Sequence, residues 1–255
     1  MTTIRLTVEY EGTGYAGWQV QPNEKTIQGE LEDAIAKVTG QNVSVIGAGR
    51  TDSGVHALRQ VASFRIDHTL PALQYRSALN HYLLADIRVR ESVEAPDGFD
   101  ARRWAKSKRY RYLIGREKSA IHRRFRWEHA HDVDLDRLKK AAAEIVGTHD
   151  FAPFCVVASL KENNKCTIYS ARWRRIGPLL LFEIRGNRFL HNMVRILVGS
   201  MINLAQLRQD NNRLNLTLDS FADIIRNSRP ERVPFTAPAH GLYLVSVEYA
   251  QGNDE

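Results

Sequence analysis

The stretch CTIYSARWRRIGPLLLFEIR, Cys166–Arg185, decides the class of fold. Two runs rich in β-branched, aromatic and aliphatic residues, Cys166–Ile176 and Leu179–Arg185, flank the turn-forming pair Gly177-Pro178. This arrangement predicts a β-hairpin, and hairpins join antiparallel strands. Since helical patterns precede and follow the hairpin, we expect an α+β fold with largely antiparallel sheets.

Outward from the hairpin, strands and helices follow in a similar order in each half of the chain. The N-terminal half has predicted strands at Ile4–Tyr10, Val43–Ile46, Val61–Ile66 and Ile87–Val93, and predicted helices after Thr26 and over Thr69–Leu84, with Pro71 in the first turn. The C-terminal half has a strand in RYRYLIG (Arg109–Gly115), a helix from Asp134 to Gly147, helices over Phe189–Gln206 and Leu218–Asn227, and a strand over Leu242–Tyr249. We therefore expect two α/β halves, residues 1–100 and 101–255, flanking a central catalytic cleft.

Composition limits the class of protein. The chain has 255 residues, 43% of them hydrophobic, which is typical of a globular protein with a substantial core. No apolar run approaches the roughly 18 residues that span a bilayer, and the N-terminus lacks the pattern of a secretory signal. Two cysteines are too few for a disulfide framework, so we expect a cytoplasmic protein without a membrane partner.

Positive charge is concentrated in one part of the chain, residues 102–126, which we call the basic segment. Its cations are Arg102, Arg103, Lys106, Lys108, Arg109, Arg111, Arg116, Lys118, Arg123, Arg124 and Arg126, against Glu117 as the one acid. Its aromatic residues are Trp104, Tyr110, Tyr112 and Phe125. Phosphates attract cations and unstacked bases stack on aromatic rings, so the basic segment favours single-stranded or looped RNA, with Arg109 and Arg111 as candidate substrate-binding residues.

The stretch GAGRTDSGVH, Gly47–His56, places ionisable residues among glycines. If the backbone is extended there, Arg50 and Asp52 point the same way and Thr51 the other. The cation beside it would keep Asp52 ionised, which suits a nucleophile or a base. The residues alone leave a second interpretation equally open, an Asx-turn with a surface ion pair.

Other chemistries fit the sequence poorly. It contains neither the GxxxxGK[ST] phosphate loop nor GxGxxG. Four histidines of the C-terminal half could be metal ligands: His122, His129, His131 and His149. No cysteine or carboxylate has the helical or hairpin spacing that would complete a site with them. Neither Cys155 nor Cys166 lies in a motif that would activate it. We therefore expect no metal ion.

Six blocks of the chain resemble the TruA family of tRNA pseudouridine synthases. They are VEYEGTGYAGWQVQP, GAGRTDSGVHA, RYRYLI, GTHDFAPF, FLHNMVRILVGS and TAPAHGLYLVSVEY, and they run almost from end to end in the family's order. The block GAGRTDSGVHA is similar to the family's catalytic motif. The resemblance implies the pseudouridine synthase fold and an isomerase that converts uridine to pseudouridine at positions 38, 39 and 40 in the anticodon stem-loop of tRNA.

The same resemblance implies the roles of the site residues. Asp52 would be the essential carboxylate and the nucleophile, although attack on C1′, addition to the base and removal of a sugar proton remain open from sequence. Tyr110 would stack on the flipped base, Arg195 would pair with Asp52, and Arg50 would stabilise the opened RNA. The resemblance further implies no cofactor, and a homodimer in which one tRNA touches both subunits.

The chain departs from the family pattern at a few positions. It has Leu58-Arg59-Gln60 after the catalytic motif, Leu84-Ala85 before Asp86, Arg102-Arg103-Trp104, and Asn187-Arg188. None of these removes a predicted site residue, but several add an Arg or an aromatic ring that could alter RNA contacts. The alternatives are a non-catalytic RNA-binding protein, which would not need Asp52, and a hydrolase, which would leave the basic segment unexplained.

Overall fold

The computed structural model describes residues 1–67, 70–207, 216–227 and 235–250. The strands are β1 (Thr2–Tyr10), β2 (Ile46–Gly47), β3 (His56–Ile66), β4 (Ile87–Ala95), β5 (Ala105–Gly115), β6 (Trp127–Glu128), β7 (Gly147–Asp150), β8 (Lys165–Ile176), β9 (Leu179–Gly186) and β10 (Leu242–Tyr249). The helices are α1 (Ile27–Thr39), α2 (Tyr75–Tyr82), α3 (Leu135–Glu144), α4 (Met193–Ala205) and α5 (Leu218–Asn227).

The predicted α+β class with largely antiparallel strands is confirmed. The pairs β1–β3, β1–β4, β2–β3, β7–β8 and β8–β9 are antiparallel, and the pairs β3–β10 and β5–β6 are parallel. The predicted hairpin is β8–β9, in which Ile176 pairs with Leu179 across a turn where Gly177 has a φ of 54°. A positive φ is easy only for glycine, so this residue closes the hairpin.

The chain divides into two compact units. The first unit consists of Met1–Lys108 and the described residues from Tyr243 onward, and the second is Arg109–Leu242. The last strand belongs to the first unit because β10 pairs with β3, with Tyr243 opposite His56. The division expected from the sequence, residues 1–100 and 101–255, instead assigned this last strand to the C-terminal half.

In the first unit the strand order is β4-β1-β3-β10, with β2 on β3. The helix α1 begins where predicted, because the Thr26 side chain accepts a hydrogen bond from the Gly29 N–H at 3.2 Å. Its buried face, which includes Leu31 and Ile35, follows the helical period. The helix α2 packs on β4 and on α1.

In the second unit the strand order is β5-β9-β8-β7, with β6 beside β5. Asp134 caps α3 as predicted, and its side chain accepts hydrogen bonds from the Asp136 and Arg137 N–H groups. The helix α4 is apolar and buried on nearly all sides, as expected of a helix inside a core. In the described part of the chain, no helix is both long and apolar enough to span a membrane.

Several predicted element bounds are wrong. The helix predicted over Thr69–Leu84 begins at Tyr75, after a short 3₁₀ turn, and Pro71 is extended; Thr69 itself lies outside the described residues. The strand predicted over Val43–Ile46 is reduced to Ile46–Gly47, and the helix predicted from Phe189 begins at Met193. Each difference lies at an element end, where the hydrophobic pattern continues beyond the regular backbone.

Candidate active site

The stretch Gly47–His56 forms a loop between β2 and β3 of the first unit. Gly47 is the last residue of β2 and His56 is the first of β3. The loop is tied to β3 on its N-terminal side, because the Gln60 side chain donates a hydrogen bond to the Gly49 carbonyl at 2.7 Å. Arg50, Thr51 and Asp52 therefore lie on a short connection that regular structure holds at both ends.

Thr51 anchors the middle of this loop. Its side chain is 6% exposed and its Oγ1 lies 2.8 Å from the Tyr10 hydroxyl oxygen, while its carbonyl accepts a hydrogen bond from the Trp18 N–H at 3.0 Å. Arg50 is exposed and Asp52 is half-buried. This alternation agrees with the predicted placement of Arg50 and Asp52 on one side of the chain and Thr51 on the other.

A tight turn follows Asp52. The Val55 N–H donates a hydrogen bond to the Asp52 carbonyl at 3.1 Å, and Gly54 in this turn has a φ of 78°. The Ser53 hydroxyl donates to the Tyr15 carbonyl at 3.0 Å. The backbone of Asp52 is thus held through its neighbours on both sides, which preorganises the residue that carries the carboxylate.

The segment of residues 10–18, which we call the bracing segment, packs against this loop at two glycines. A Cβ on Gly12 would overlap the Val55 carbonyl oxygen, and one on Gly17, whose φ is 102°, would lie 2.7 Å from the Thr51 carbonyl oxygen. The Gly12 N–H donates a hydrogen bond to Nδ1 of His56 at 3.0 Å. The neutral imidazole of His56 therefore carries its proton on Nε2.

In the second unit, Tyr110 lies on β5 with its side chain 6% exposed. Its ring meets that of Phe189 edge to face, with 5.1 Å between the centroids and 82° between the planes. This contact and the burial of the side chain restrict the orientation of the Tyr110 ring.

Arg109 and Arg111 flank Tyr110 on the same strand and share one acid on the neighbouring strand. Glu183 lies 3.8 Å from Nη1 of Arg109 and 3.2 Å from Nη2 of Arg111. Both arginine side chains are about one third exposed. The shared carboxylate holds two cations side by side and offsets part of their charge.

Arg195 lies in the first turn of α4 and is half-buried. Its Nε donates a hydrogen bond to the Ala237 carbonyl at 2.8 Å, and its Nη1 donates to Oδ1 of Asn192 at 2.8 Å. The chain around Ala237 is in turn fixed by Tyr112, whose hydroxyl donates to the Pro238 carbonyl at 2.7 Å. The guanidinium is therefore held by two acceptors from different parts of the second unit.

The predicted site residues fall into two groups. Arg50 and Asp52 lie on one loop of the first unit, whereas Tyr110, Arg109, Arg111 and Arg195 belong to the second unit. Sequence reasoning missed the residues that hold these groups, which are Tyr10, Trp18 and His56 for the loop, and Asn192, Ala237 and Phe189 in the second unit. The bracing segment carried one signal, since its three glycines within six residues indicate close backbone contacts.

His129, His149 and the two cysteines pack against other residues of the second unit. The His129 ring lies 4.8 Å from that of Trp127, and burial lowers the pKa of His129 to about 4. His149 packs on Phe151. Burial raises the pKa of the Cys166 thiol to about 11, which keeps it protonated and unreactive at neutral pH. No group of three or more metal-ligating side chains forms among the described residues.

The basic segment is unevenly exposed. Arg102, Arg103 and Lys106 are exposed in the first unit, and Trp104 beside them is 43% exposed with its ring edge against Phe99. In the second unit, Arg116 pairs with Asp132 at 3.0 Å, and the Arg126 side chain donates to the Glu117 carbonyl at 3.0 Å. Three exposed cations of the segment thus lie around Trp104.

Two further positions at which the chain departs from the family pattern, Arg59 and Arg188, differ in their surroundings. Arg59 is exposed. The Arg188 guanidinium donates a hydrogen bond to the Asn163 carbonyl at 2.9 Å, so this additional arginine ties two loops of the second unit together. Of these two arginines, Arg59 is the more exposed to solvent.

The chain is similar to known proteins over nearly all of its length. The family model described as tRNA pseudouridine synthase matches residues 6–102 and 141–250. Proteins named tRNA pseudouridine synthase A from Acetivibrio thermocellus and Thermoanaerobacter sp. (strain X514) are 41% and 39% identical over 253 residues, covering 98% of this chain and 100% of each relative. A Cbf5-Nop10-Gar1 complex contains a chain with 12% identity and a TM-score of 0.35, covering 76% of this chain and 52% of that one.

The α+β fold, the carboxylate on a glycine-bounded loop and the basic, aromatic strand are consistent with the class of protein that these comparisons give, the enzymes that modify RNA. The chain belongs to the tRNA pseudouridine synthase family and is an isomerase. The family resemblance inferred from the six sequence blocks is thereby confirmed.

Proposed function

We propose that this chain converts uridine to pseudouridine at positions 38, 39 and 40 of the tRNA anticodon stem-loop. It uses no metal ion or organic cofactor, and it works as a homodimer in the cytoplasm. The observation that carries the proposal is the half-buried Asp52 on a loop whose backbone is held on both sides, with the exposed Arg50 next to it. The hydrogen bonds on either side restrain the backbone that carries this carboxylate.

The reaction balances without an external reagent. The N1–C1′ bond of uridine breaks, the uracil turns, and a C5–C1′ bond forms. The hydrogen on C5 then leaves as a proton, and N1 gains one. Asp52 serves as the nucleophile: its carboxylate bonds C1′ as the N1–C1′ bond breaks, and it leaves C1′ again when C5 forms the new bond. If Asp52 instead removed a proton from C2′, 2′-deuterated uridine would show a primary isotope effect. This measurement therefore distinguishes Asp52 as a nucleophile from Asp52 as a base.

The other site residues bind and orient the RNA. The target uridine must leave its stack before C1′ is accessible, and the Tyr110 ring replaces the lost stacking surface. Arg50 contacts the opened RNA, and Arg195 provides the positive charge that favours the ionised form of Asp52. Arg109 and Arg111 attract phosphates around Tyr110.

The direct test is to incubate the protein with unmodified tRNA transcripts and map pseudouridine by position. We expect the modification at positions 38, 39 and 40 where these are uridines. Transcripts with cytidine at these positions are the matched control and should stay unmodified. Binding of tRNA without any pseudouridine would instead identify a non-catalytic RNA-binding protein.

Salt dependence tests the basic segment. Each phosphate contact contributes about 0.7 to the slope of log affinity against log salt for single-stranded RNA. Replacing Arg102, Arg103 and Lys106 together by Gln should therefore reduce this slope by about two. We choose these three because they are exposed, whereas Arg109, Arg111 and Arg116 each face an acid. The measurement is tRNA affinity across a salt series.

The control for the salt experiment is the triple replacement of Arg172, Arg174 and Arg175 by Gln. These arginines are exposed on β8, outside the basic segment, and the charge change is the same. This variant should keep the slope of the unaltered protein. Equal slopes in both triple variants would mean that the basic segment has no special part in binding.

A further inference from the structure

Asn192 occupies an unusual position before α4. Among the residues that the structure describes, two non-glycine residues have a positive φ, Asn23 and Asn192, both at 61°. An asparagine before a helix normally has an extended backbone and caps the helix with its side chain. Within the described chain the Asn192 side chain makes no such cap, and its backbone is left-handed. Two local rules are therefore broken at one residue, as happens at functional sites.

The Asn192 side chain instead contacts Arg195. Its Oδ1 accepts a hydrogen bond from Nη1 of Arg195 at 2.8 Å, while the Ala237 carbonyl accepts from Nε. A guanidinium is planar, so acceptors on two of its nitrogens fix both its position and its rotation about the Nε–Cζ bond. At Asn192 a left-handed backbone thus coincides with a side chain that contacts Arg195 and does not cap the helix.

We propose that Asn192 is a positioning residue that holds the Arg195 guanidinium in its working orientation, and that it does so with a neutral acceptor. This proposal rests on the catalytic role given to Arg195 above. An amide orients the guanidinium and leaves its charge intact for the reacting groups. A carboxylate at the same place would form a charge-assisted pair with Arg195 and offset the charge that the reaction uses.

The first variant is Asn192→Gly, which removes the acceptor and relieves the left-handed backbone. We expect the single-turnover rate of pseudouridine formation to fall about tenfold or more, because a hydrogen bond to a charged group is lost. The affinity for tRNA should stay within threefold, and Tm should stay the same or rise. A purely structural role for Asn192 would give the opposite pattern, a lowered Tm with an unchanged rate.

Asn23→Gly is the matched control. Asn23 has the same φ of 61° but is exposed in the N-terminal loop of the first unit. The backbone effect of the substitution is therefore the same, and the contact with Arg195 is not involved. This variant should keep the rate of the unaltered enzyme.

A second variant tests the need for a neutral acceptor. Asn192→Asp keeps an oxygen acceptor and tolerates the left-handed backbone. We expect rotation about the Arg195 Nε–Cζ bond, measured by ¹⁵N NMR of the free protein, to stay slow in Asn192→Asp and to accelerate in Asn192→Gly. The rate of pseudouridine formation should fall in both variants.

The outcomes separate this proposal from the proposed function. If the unaltered protein forms no pseudouridine, the proposed function fails, and the NMR measurement still decides whether Asn192 holds Arg195. If Asn192→Gly keeps both the unaltered reaction rate and slow rotation of Arg195, the positioning role is overturned. If Asn192→Asp reacts at the unaltered rate, the requirement for a neutral acceptor is overturned.

Discussion

Asp52→Asn is expected to lower pseudouridine formation by about four orders of magnitude or more, as removal of a nucleophile does in other enzymes. The substitution conserves volume and removes the charge. Because the loop is held through Thr51, Ser53 and Val55, the backbone of residue 52 should not move. The affinity for tRNA should stay within a few-fold. Release of tritium from C5-labelled uridine in tRNA measures the reaction, since the C5 hydrogen leaves when the new bond forms.

Asp33→Asn is the control for this experiment. Asp33 is an exposed aspartate on α1, so the chemical change is the same at a position away from the loop. It should leave the rate unchanged. The Asp52→Asn preparation must be shown by mass spectrometry to be free of deamidated protein. Turnover by that preparation within tenfold of the unaltered rate would contradict the role of Asp52.

Tyr110→Phe is expected to bind tRNA normally and to lose most of its rate, by a factor of about 10² to 10⁴. The ring is retained, so its edge-to-face contact with Phe189 and its stacking surface for the uracil are also retained. The lost group is the hydroxyl, which a ring stacked on the reacting base brings within reach of the proton on C5. The measurement is single-turnover pseudouridine formation at saturating enzyme. A rate near that of the unaltered enzyme would restrict Tyr110 to stacking.

Tyr110→Ala removes the ring as well and should impair both binding and rate. Because Tyr110 is buried, this change also leaves a cavity that costs about 3–5 kcal/mol of folding free energy, so its rate must be measured below its Tm. Tyr169→Phe, at an exposed tyrosine of β8, is the control for loss of a hydroxyl. A Tyr110→Ala variant that reacts as fast as the unaltered enzyme would mean that Tyr110 is an ordinary strand residue.

Much of the fold could be predicted because its elements carry strong local signals. The hairpin β8–β9 has two strand-forming runs around Gly177, and α1 and α3 begin at the side-chain caps Thr26 and Asp134. These signals depend on residues within a few positions of each other. Neither the parallel pairing of β10 with β3 nor the short strand β7 has such a signal, because each depends on a partner distant in the sequence.

The wrong bounds have specific causes. The backbone of Val45 does not continue β2, because its N–H donates a hydrogen bond to the Glu32 side chain on α1. Phe189 and Leu190 continue the apolar pattern of α4, but the left-handed backbone of Asn192 prevents the helix from starting before Met193. Side-chain capture of a backbone group and a single left-handed residue both override hydrophobic periodicity, and neither can be recognised from the pattern alone.

The loop of the candidate site was partly predictable. Alternation along an extended chain correctly separates Thr51 from Arg50 and Asp52, because this rule concerns adjacent residues. The partners of Thr51 could not be predicted, since Tyr10 and Trp18 come more than thirty residues earlier in the sequence. The roles of Tyr110 and Arg195 come from the family resemblance, and they stay predictions that the variants above test.

The close fit of Gly12 and Gly17 against the Asp52 loop has a consequence for exchanging parts between enzymes. Because neither glycine has room for a methyl group, the path of the loop backbone is shaped by the bracing segment that precedes it in the chain. A chimera that receives residues 47–56 from a distant relative would place a foreign loop against an unmatched surface. We therefore expect activity to survive the exchange when the bracing segment and residues 47–56 are both taken from the same donor.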